Sequence, residues 1–137
     1  MIATTHSVTA SPGAVWTARI LTGVPVMFLT FDTVIKLLRI DPVIDSFNAL
    51  GYPSSLALWI GVLELAGLVL YILPATSVLG AVVLTGYLGG AIATHVRVES
   101  PLFTHVLFPV YVALFLWAGL FLREPRLRQL IPARRSL

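Results

Sequence analysis

Four apolar stretches, each long enough to cross a lipid bilayer as a helix, constrain this chain more than any other feature. They cover residues 15–38, 55–73, 77–96 and 102–122. A helix crosses the hydrocarbon core with about 20 mostly apolar residues. None of the four stretches alternates as a strand does, and open sheet edges do not survive in lipid. The sequence therefore predicts an all-α fold, a transmembrane four-helix bundle.

Composition excludes most soluble classes of protein. A chain of 137 residues is long enough for one domain. Of these residues 58% are hydrophobic and 11% are charged, whereas about 25% are charged in soluble domains. A soluble domain of this size could not bury so many apolar side chains. We therefore expect no disordered chain, no nucleic-acid-binding module and no typical soluble enzyme. The chain has no Cys, which rules out disulfides and thiol chemistry of its own.

The stretches define the predicted organisation. Residues 1–14 form an N-terminal tail, residues 15–122 the four-helix membrane domain, and residues 123–137 a basic cytoplasmic tail. Within the segment 39–53, apolar side chains at helical spacing predict a short amphipathic helix on the membrane surface. They are Val43, Phe47 and Leu50.

The basic residues predict the orientation in the membrane. The C-terminal tail contains Arg123, Arg126, Arg128, Arg134 and Arg135. The other side of the bundle has only Lys36, Arg39 and Arg97. Because cytoplasmic segments carry the excess of Lys and Arg, we expect a multi-pass protein of the bacterial inner membrane with both termini in the cytoplasm.

Ionisable residues inside the apolar stretches are the candidate functional residues, because such residues are costly in lipid and usually face the bundle interior. Helical rise places most of them toward the outer half of the membrane and Glu64 near mid-depth. The catalytic candidates are Glu64, His95 and Asp32. The candidate ligand-binding set is Asp32, Lys36, Glu64, Tyr87, His95 and His105.

Each candidate also has a purely structural interpretation. Asp32 and Lys36 are four residues apart and can pair on one helical face. Lys36 and Arg97 can extend to the outer interface, and the two histidines can be ordinary hydrogen-bonded residues. Their spacing matches no compact ligand motif, so we expect no metal. Glu64 must be either protonated or paired with a cation or hydrogen-bond donors.

Small residues at helical spacing predict where helices approach each other closely. Gly86 and Gly90 form such a stripe in the third apolar stretch, and Gly61 and Gly67 flank Glu64 in the second. We expect these four glycines to pack helices within the chain, with a homodimer face as the alternative.

The third and fourth stretches contain LTGYLGGAIATHVR at 84–97, PLFTH at 101–105 and Phe-Pro at 108–109. These segments resemble the DoxX-like family of small bacterial membrane proteins. Earlier segments are similar to the same family.

These earlier segments are Phe-Asp at 31–32 with Lys-Leu at 36–37, LGYP at 50–53 and GVLELAG at 61–67. The resemblance covers residues 16 to 132 approximately. It implies an integral membrane protein, and it implies an association with quinone-linked oxidation of thiosulfate or with membrane oxidoreductase complexes. It assigns no catalytic residue.

Together these features predict a polar pocket that opens toward the outer face and binds a small lipophilic ligand such as a quinone. His95, His105, Tyr87 and Lys36 could donate hydrogen bonds to it. Glu64 or Asp32 could transfer protons. The chain has no flavin, haem or nucleotide motif, so we expect no intrinsic cofactor and any enzymatic role only as an accessory subunit.

The expected partners are the lipid bilayer and an oxidoreductase subunit that supplies electrons. The main alternative is a non-enzymatic assembly factor or structural partner whose polar groups only stabilise the bundle. A proton-coupled carrier of small molecules is a third interpretation.

Overall fold

The computed structural model describes residues 11–130, and within this range the chain is helical without any strand. The elements are α1 (Pro12–Leu38), α2 (Asp41–Ala49), α3 (Leu56–Ile72), α4 (Ser77–Arg97), a π-helical turn (Leu102–Val106), α5 (Phe108–Arg123) and α6 (Pro125–Leu130). The predicted all-α fold class is confirmed. The predictions made for residues 1–10 and 131–137, which include Arg134 and Arg135, concern residues outside the described range.

The four long helices pack side by side. Helix α1 contacts α3 and α5, and α4 contacts the same two helices, so each long helix has two long neighbours. Buried leucines from all four fill the space between them; they include Leu29, Leu68, Leu84 and Leu116. Tyr71 crosses this core from α3 and donates a hydrogen bond to the carbonyl of Leu116 on α5 at 2.7 Å.

The outer faces of the same helices are also apolar. Met27 is 75% exposed, Trp59 67% and Leu114 63%. Exposed apolar surface on this scale is unfavourable in water and favourable against lipid tails. Helices α1 and α4 and the segment Leu102–Arg123 are long and apolar enough to cross a membrane, while α3 is a shorter apolar helix of 17 residues.

The end of α1 positions the short helix that follows it. Arg39 has φ 52°, in the left-handed region, and its N–H bonds to carbonyls of the last turn of α1. Helix α2 then begins at Asp41, and its Val43 and Phe47 are buried beside Ala57 of α3. A short helix is thus present within the predicted segment 39–53, with Val43 and Phe47 packed against α3, whereas Leu50 lies just beyond its end.

Two departures from the predicted organisation occur near the C-terminus. The fourth apolar stretch begins as a π-helical turn, in which the N–H of Leu107 bonds to the carbonyl of Leu102. Regular helix α5 starts only at Phe108, and Pro109 in its first turn has no N–H to bond backward into the preceding turn. Beyond Arg123, residues predicted as tail form α6, whose Leu127 is buried in the core.

The predicted glycine contacts divide into two groups. A Cβ on Gly61 would lie 3.0 Å from Cβ of Lys36, and one on Gly67 would lie 2.9 Å from a methyl group of Leu84. These two glycines do allow close helix packing. A Cβ on Gly86 or Gly90 would meet no atom within 4 Å.

The prediction that Gly86 and Gly90 pack helices within the chain is therefore wrong. Both glycines line a cavity, where the missing side chain leaves open space. The tightest approaches occur at two other glycines. A Cβ on Gly80 would overlap the backbone of Tyr71, and one on Gly119 would collide with Thr22.

Candidate functional site

A cavity of about 670 Å³ lies at the end of the protein where α1 finishes. Its walls come from α1, α2, α3, α4, the π-helical turn and the start of α5, and they are mostly apolar. Aromatic rings contribute much of this wall: Phe28, Phe47, Tyr52 and Phe108. Phe28 and Phe108 meet edge to face, with ring centroids 5.0 Å apart. Cavities of this size commonly hold small organic ligands.

One ammonium group connects three helices beside this cavity. Lys36 on α1 donates hydrogen bonds to Glu64 Oε2 on α3 at 3.0 Å and to Tyr87 Oη on α4 at 2.6 Å. It also bonds to Asp32 Oδ2, one turn earlier on its own helix. The side chain of Lys36 is only 11% exposed, so these contacts form in a largely dehydrated environment.

The polar cluster consists of Asp32, Lys36, Glu64 and Tyr87. The hydroxyl of Tyr87 donates to Asp32 Oδ2 at 3.2 Å, which closes a triangle with Lys36. The ammonium also lies 5.2 Å from the centre of the Tyr87 ring, within range of a cation–π contact. The cluster contains two carboxyl groups for one ammonium, so it would carry one negative charge with all three groups ionised.

Glu64 is the most deeply buried member of the cluster. Its side chain is 0% exposed, and it stands eight residues from either end of α3. Gly61, one turn earlier, lets the Lys36 stem approach α3 closely. The second carboxyl oxygen of Glu64, Oε1, is buried without a hydrogen-bond partner among the described residues.

Glu64 does not line the cavity, whereas Asp32, Lys36 and Tyr87 do. The sequence placed Glu64 among the residues that contact a ligand. In the structure it contacts Lys36 instead, so any influence of Glu64 on the cavity must pass through the Lys36 ammonium.

Two histidines line another part of the same cavity. The rings of His95 and His105 meet edge to face, with centroids 5.4 Å apart. His95 Nδ1 bonds to Ser100 Oγ at 3.0 Å, and His105 Nδ1 to Thr104 Oγ1 at 2.8 Å. Eight residues separate Tyr87 from His95 on α4, about 12 Å of helical rise, so the histidine pair and the polar cluster are distinct groups on one wall.

Arg97 does not join the polar cluster. Its guanidinium donates to the carbonyl of Leu50 and lies 5.3 Å from the centre of the Tyr52 ring. Tyr52 in turn bonds to Thr94 Oγ1 at 2.9 Å. These contacts attach the segment after α2 to α4. Tyr52 lines the cavity as well, and the only sign of this in the sequence is its place in the LGYP segment at 50–53.

The structure thus gathers five of the six predicted ligand-binding residues around one cavity, with Glu64 behind Lys36. Within residues 11–130, no group of three or more His, Cys, Asp or Glu side chains lies together as a metal site would require.

Comparison with known proteins identifies the family. Residues 20–119 match the DoxX-like family. The chain belongs to the DoxX-like family. The matched range contains the polar cluster, both histidines and every residue of the cavity wall of this DoxX-like membrane protein. Neither the curated proteins nor the solved structures contain a match to it.

Proposed function

We propose that this DoxX-like protein binds a small lipophilic ligand, such as a quinone, in the 670 Å³ cavity. The observation that carries the proposal is the polar cluster on the wall of a mostly apolar cavity. A lysine held by two carboxyl groups and a tyrosine fixes a set of polar groups among apolar and aromatic side chains, where a ligand oxygen could replace one of the present acceptors.

Quinone chemistry matches this combination of groups. The ring and tail of a quinone are apolar, and its two carbonyl oxygens accept hydrogen bonds. The ammonium of Lys36 and the hydroxyl of Tyr87 lie on one wall, where a quinone oxygen would take over a hydrogen bond that they now donate to Asp32. His95 and His105 lie on another part of the same wall. Glu64 positions Lys36 from behind. Because the sequence has no motif for a flavin, haem or nucleotide, electrons would come from a partner, so the protein acts as a subunit of a membrane oxidoreductase assembly.

We also propose how the protein lies in the membrane. All four long helices cross the bilayer as a four-helix bundle, and α2 lies at the outer surface of the bacterial inner membrane. The 17 residues of α3 reach the lower limit of a spanning helix, about 17 residues. The arginines of α5 and α6 favour a cytoplasmic position for both termini, with the cavity in the outer half of the bilayer.

A pair of glycine variants tests ligand binding without touching the polar cluster. Gly90 lines the cavity and Gly89 does not, yet a Cβ on either would meet no atom within 4 Å. Gly90→Leu therefore fills cavity space, and Gly89→Leu is the matched control with the same gain in helix propensity. Both variants should fold. A short-chain ubiquinone titrated into detergent-solubilised protein should bind wild type and Gly89→Leu equally.

We expect Gly90→Leu to bind the short-chain quinone at least about fivefold more weakly, because overfilling a packed site costs about 1–3 kcal/mol. Mass spectrometry of quinones retained after gentle extraction should show the same order. Equal binding by both leucine variants would refute a ligand in this cavity. Absence of quinone from wild type, with a partner protein retained equally by both variants, would favour the non-enzymatic assembly factor.

A further inference from the structure

A second cavity, of about 540 Å³, lies at the opposite end of the protein. It is formed by the first half of α1, the last residues of α3 and α5, and α6. Arg19 of α1 lines it, 17 residues before Lys36 and therefore about 25 Å away along the helix. This cavity is separate from the candidate quinone site, and nothing in the proposed function uses it.

Three arginines line this second cavity: Arg19, Arg123 and Arg128. The guanidinium of Arg123 donates to the carbonyl of Tyr71 at 2.8 Å and stacks on that ring, with its carbon 4.5 Å from the ring centre. Arg128 donates to the carbonyl of Leu122 at 3.3 Å. Arg123 is thus held in place, and the Arg19 guanidinium lies 5.5 Å from the centre of the Trp16 ring. Three arginine side chains therefore line one cavity.

Among the described residues 11–130, no carboxylate forms an ion pair with these arginines. Within residues 11–130 both ion pairs are made by Lys36, at the other end of the protein. The segments 1–10 and 131–137 contain no Asp or Glu. Glu124 is close in sequence, and its carboxylate accepts a hydrogen bond from the backbone N–H of Arg126. Clustered cations repel each other, and a bound anion would remove that repulsion.

The rest of the wall is apolar. Ala14, Val15, Ala18, Val26, Ile72 and Leu122 line it together with the arginines. A ligand that satisfies both parts of the cavity carries an anionic group on an apolar body. Guanidinium groups match phosphate oxygens with paired hydrogen bonds, and the arginine count assigns this end to the cytoplasmic leaflet, where anionic lipids are abundant.

We propose that this cavity binds an anionic phospholipid, with its phosphate between Arg19, Arg123 and Arg128 and its acyl chains along the apolar wall. A phospholipid and a free phosphate ion would make the same guanidinium–phosphate contact. The apolar wall is what favours the lipid over the free ion.

Native mass spectrometry of the full chain in mild detergent tests the proposal. Phosphatidylglycerol and phosphatidylcholine with the same acyl chains are added in turn. Phosphatidylglycerol should remain bound to wild type, and phosphatidylcholine should bind more weakly. Arg19→Gln and Arg128→Gln should each weaken phosphatidylglycerol binding about fivefold, since one basic residue contributes about 1 kcal/mol to attraction of anionic lipid.

The matched control is Arg126→Gln, which removes an arginine of α6 that does not line the cavity. It should leave phosphatidylglycerol binding unchanged. An equal loss in Arg126→Gln would overturn the site in favour of general attraction to a basic surface. Equal binding of the two lipids by wild type would also overturn it.

Inorganic phosphate distinguishes the two sources of the anion. If millimolar phosphate displaces phosphatidylglycerol from wild type more than sodium chloride of the same ionic strength does, the site binds a free ion and the lipid proposal fails. Raising the salt concentration should weaken phosphatidylglycerol binding to wild type, and this readout needs no variant to fold. Arg128→Lys keeps the charge but loses the planar fork of guanidinium donors, so it should bind phosphatidylglycerol at a level between wild type and Arg128→Gln.

Discussion

Replacing Lys36 by Met should leave two carboxyl groups without their cation in the centre of the protein. Lys36 Nζ is 3.0 Å from Glu64 Oε2, and the Glu64 side chain is 0% exposed. Removing one partner of a buried pair destabilises proteins by about 3–5 kcal/mol, because the remaining charge is uncompensated. We expect a loss of stability in this range for Lys36→Met.

A second substitution should restore much of that loss. In the Lys36→Met background, Glu64→Gln removes the buried charge while keeping nearly the same shape. The double variant should therefore be more stable than Lys36→Met alone, although it has lost one more native group. Replacing a buried ion pair by neutral residues is often close to neutral in stability.

Asp32→Asn in the same Lys36→Met background is the matched control. The Asp32 side chain is 25% exposed and lines the cavity, so water solvates its charge far better than that of Glu64. Asp32→Asn should therefore restore less stability than Glu64→Gln does. The sequence alone predicts a pair between Lys36 and Asp32, and therefore predicts that Asp32→Asn restores more stability than Glu64→Gln.

The assay is unfolding in mixed detergent micelles, followed by tryptophan fluorescence and circular dichroism, on wild type, the single variants and both double variants. The coupling free energy between positions 36 and 64 follows from the cycle. Strictly additive losses, or an Asp32→Asn rescue as large as that of Glu64→Gln, would refute the buried pair as the main partner of Lys36.

Three further outcomes are expected. Gly80→Ala should destabilise the protein by about 1–3 kcal/mol or more in thermal unfolding, because its Cβ overlaps the backbone of Tyr71, while Gly89→Ala should be neutral or stabilising by up to about 1 kcal/mol; equal melting temperatures would refute the packing. A fluorescent-protein fusion after Leu137 should fluoresce and an alkaline phosphatase fusion should be inactive, since we expect a cytoplasmic C-terminus; an active phosphatase would reverse the orientation. Glu64→Gln should fold yet lose the pH dependence of short-chain quinone binding, through its contact with Lys36; an unchanged pH profile would make Glu64 purely structural.

The site was partly visible in the sequence. Asp32 and Lys36 are four residues apart on one helix, and that spacing alone brings them together. Tyr87 and His95 share a helical face, and both line the cavity. The contact between Lys36 and Glu64 joins residues 28 apart in sequence, and no local rule pairs them.

The sequence by itself determined that the chain is helical and where most helices begin and end. In lipid the backbone has no other partner for its N–H and C=O groups, so apolar stretches of spanning length must be helices. A break such as the one at Pro74, between α3 and α4, then separates neighbouring helices. This inference needs no knowledge of which helices are neighbours.

Only the tertiary structure decided which side of each helix faces its neighbours. In a water-soluble bundle an apolar stripe marks the buried face. Here Leu84 is buried and Leu114 is 63% exposed, because lipid accepts apolar side chains as readily as the protein interior does. Rotation about each helix axis is then set by packing, which brings Gly80 against a neighbouring helix, leaves Gly90 open to a cavity and points Glu64 at Lys36.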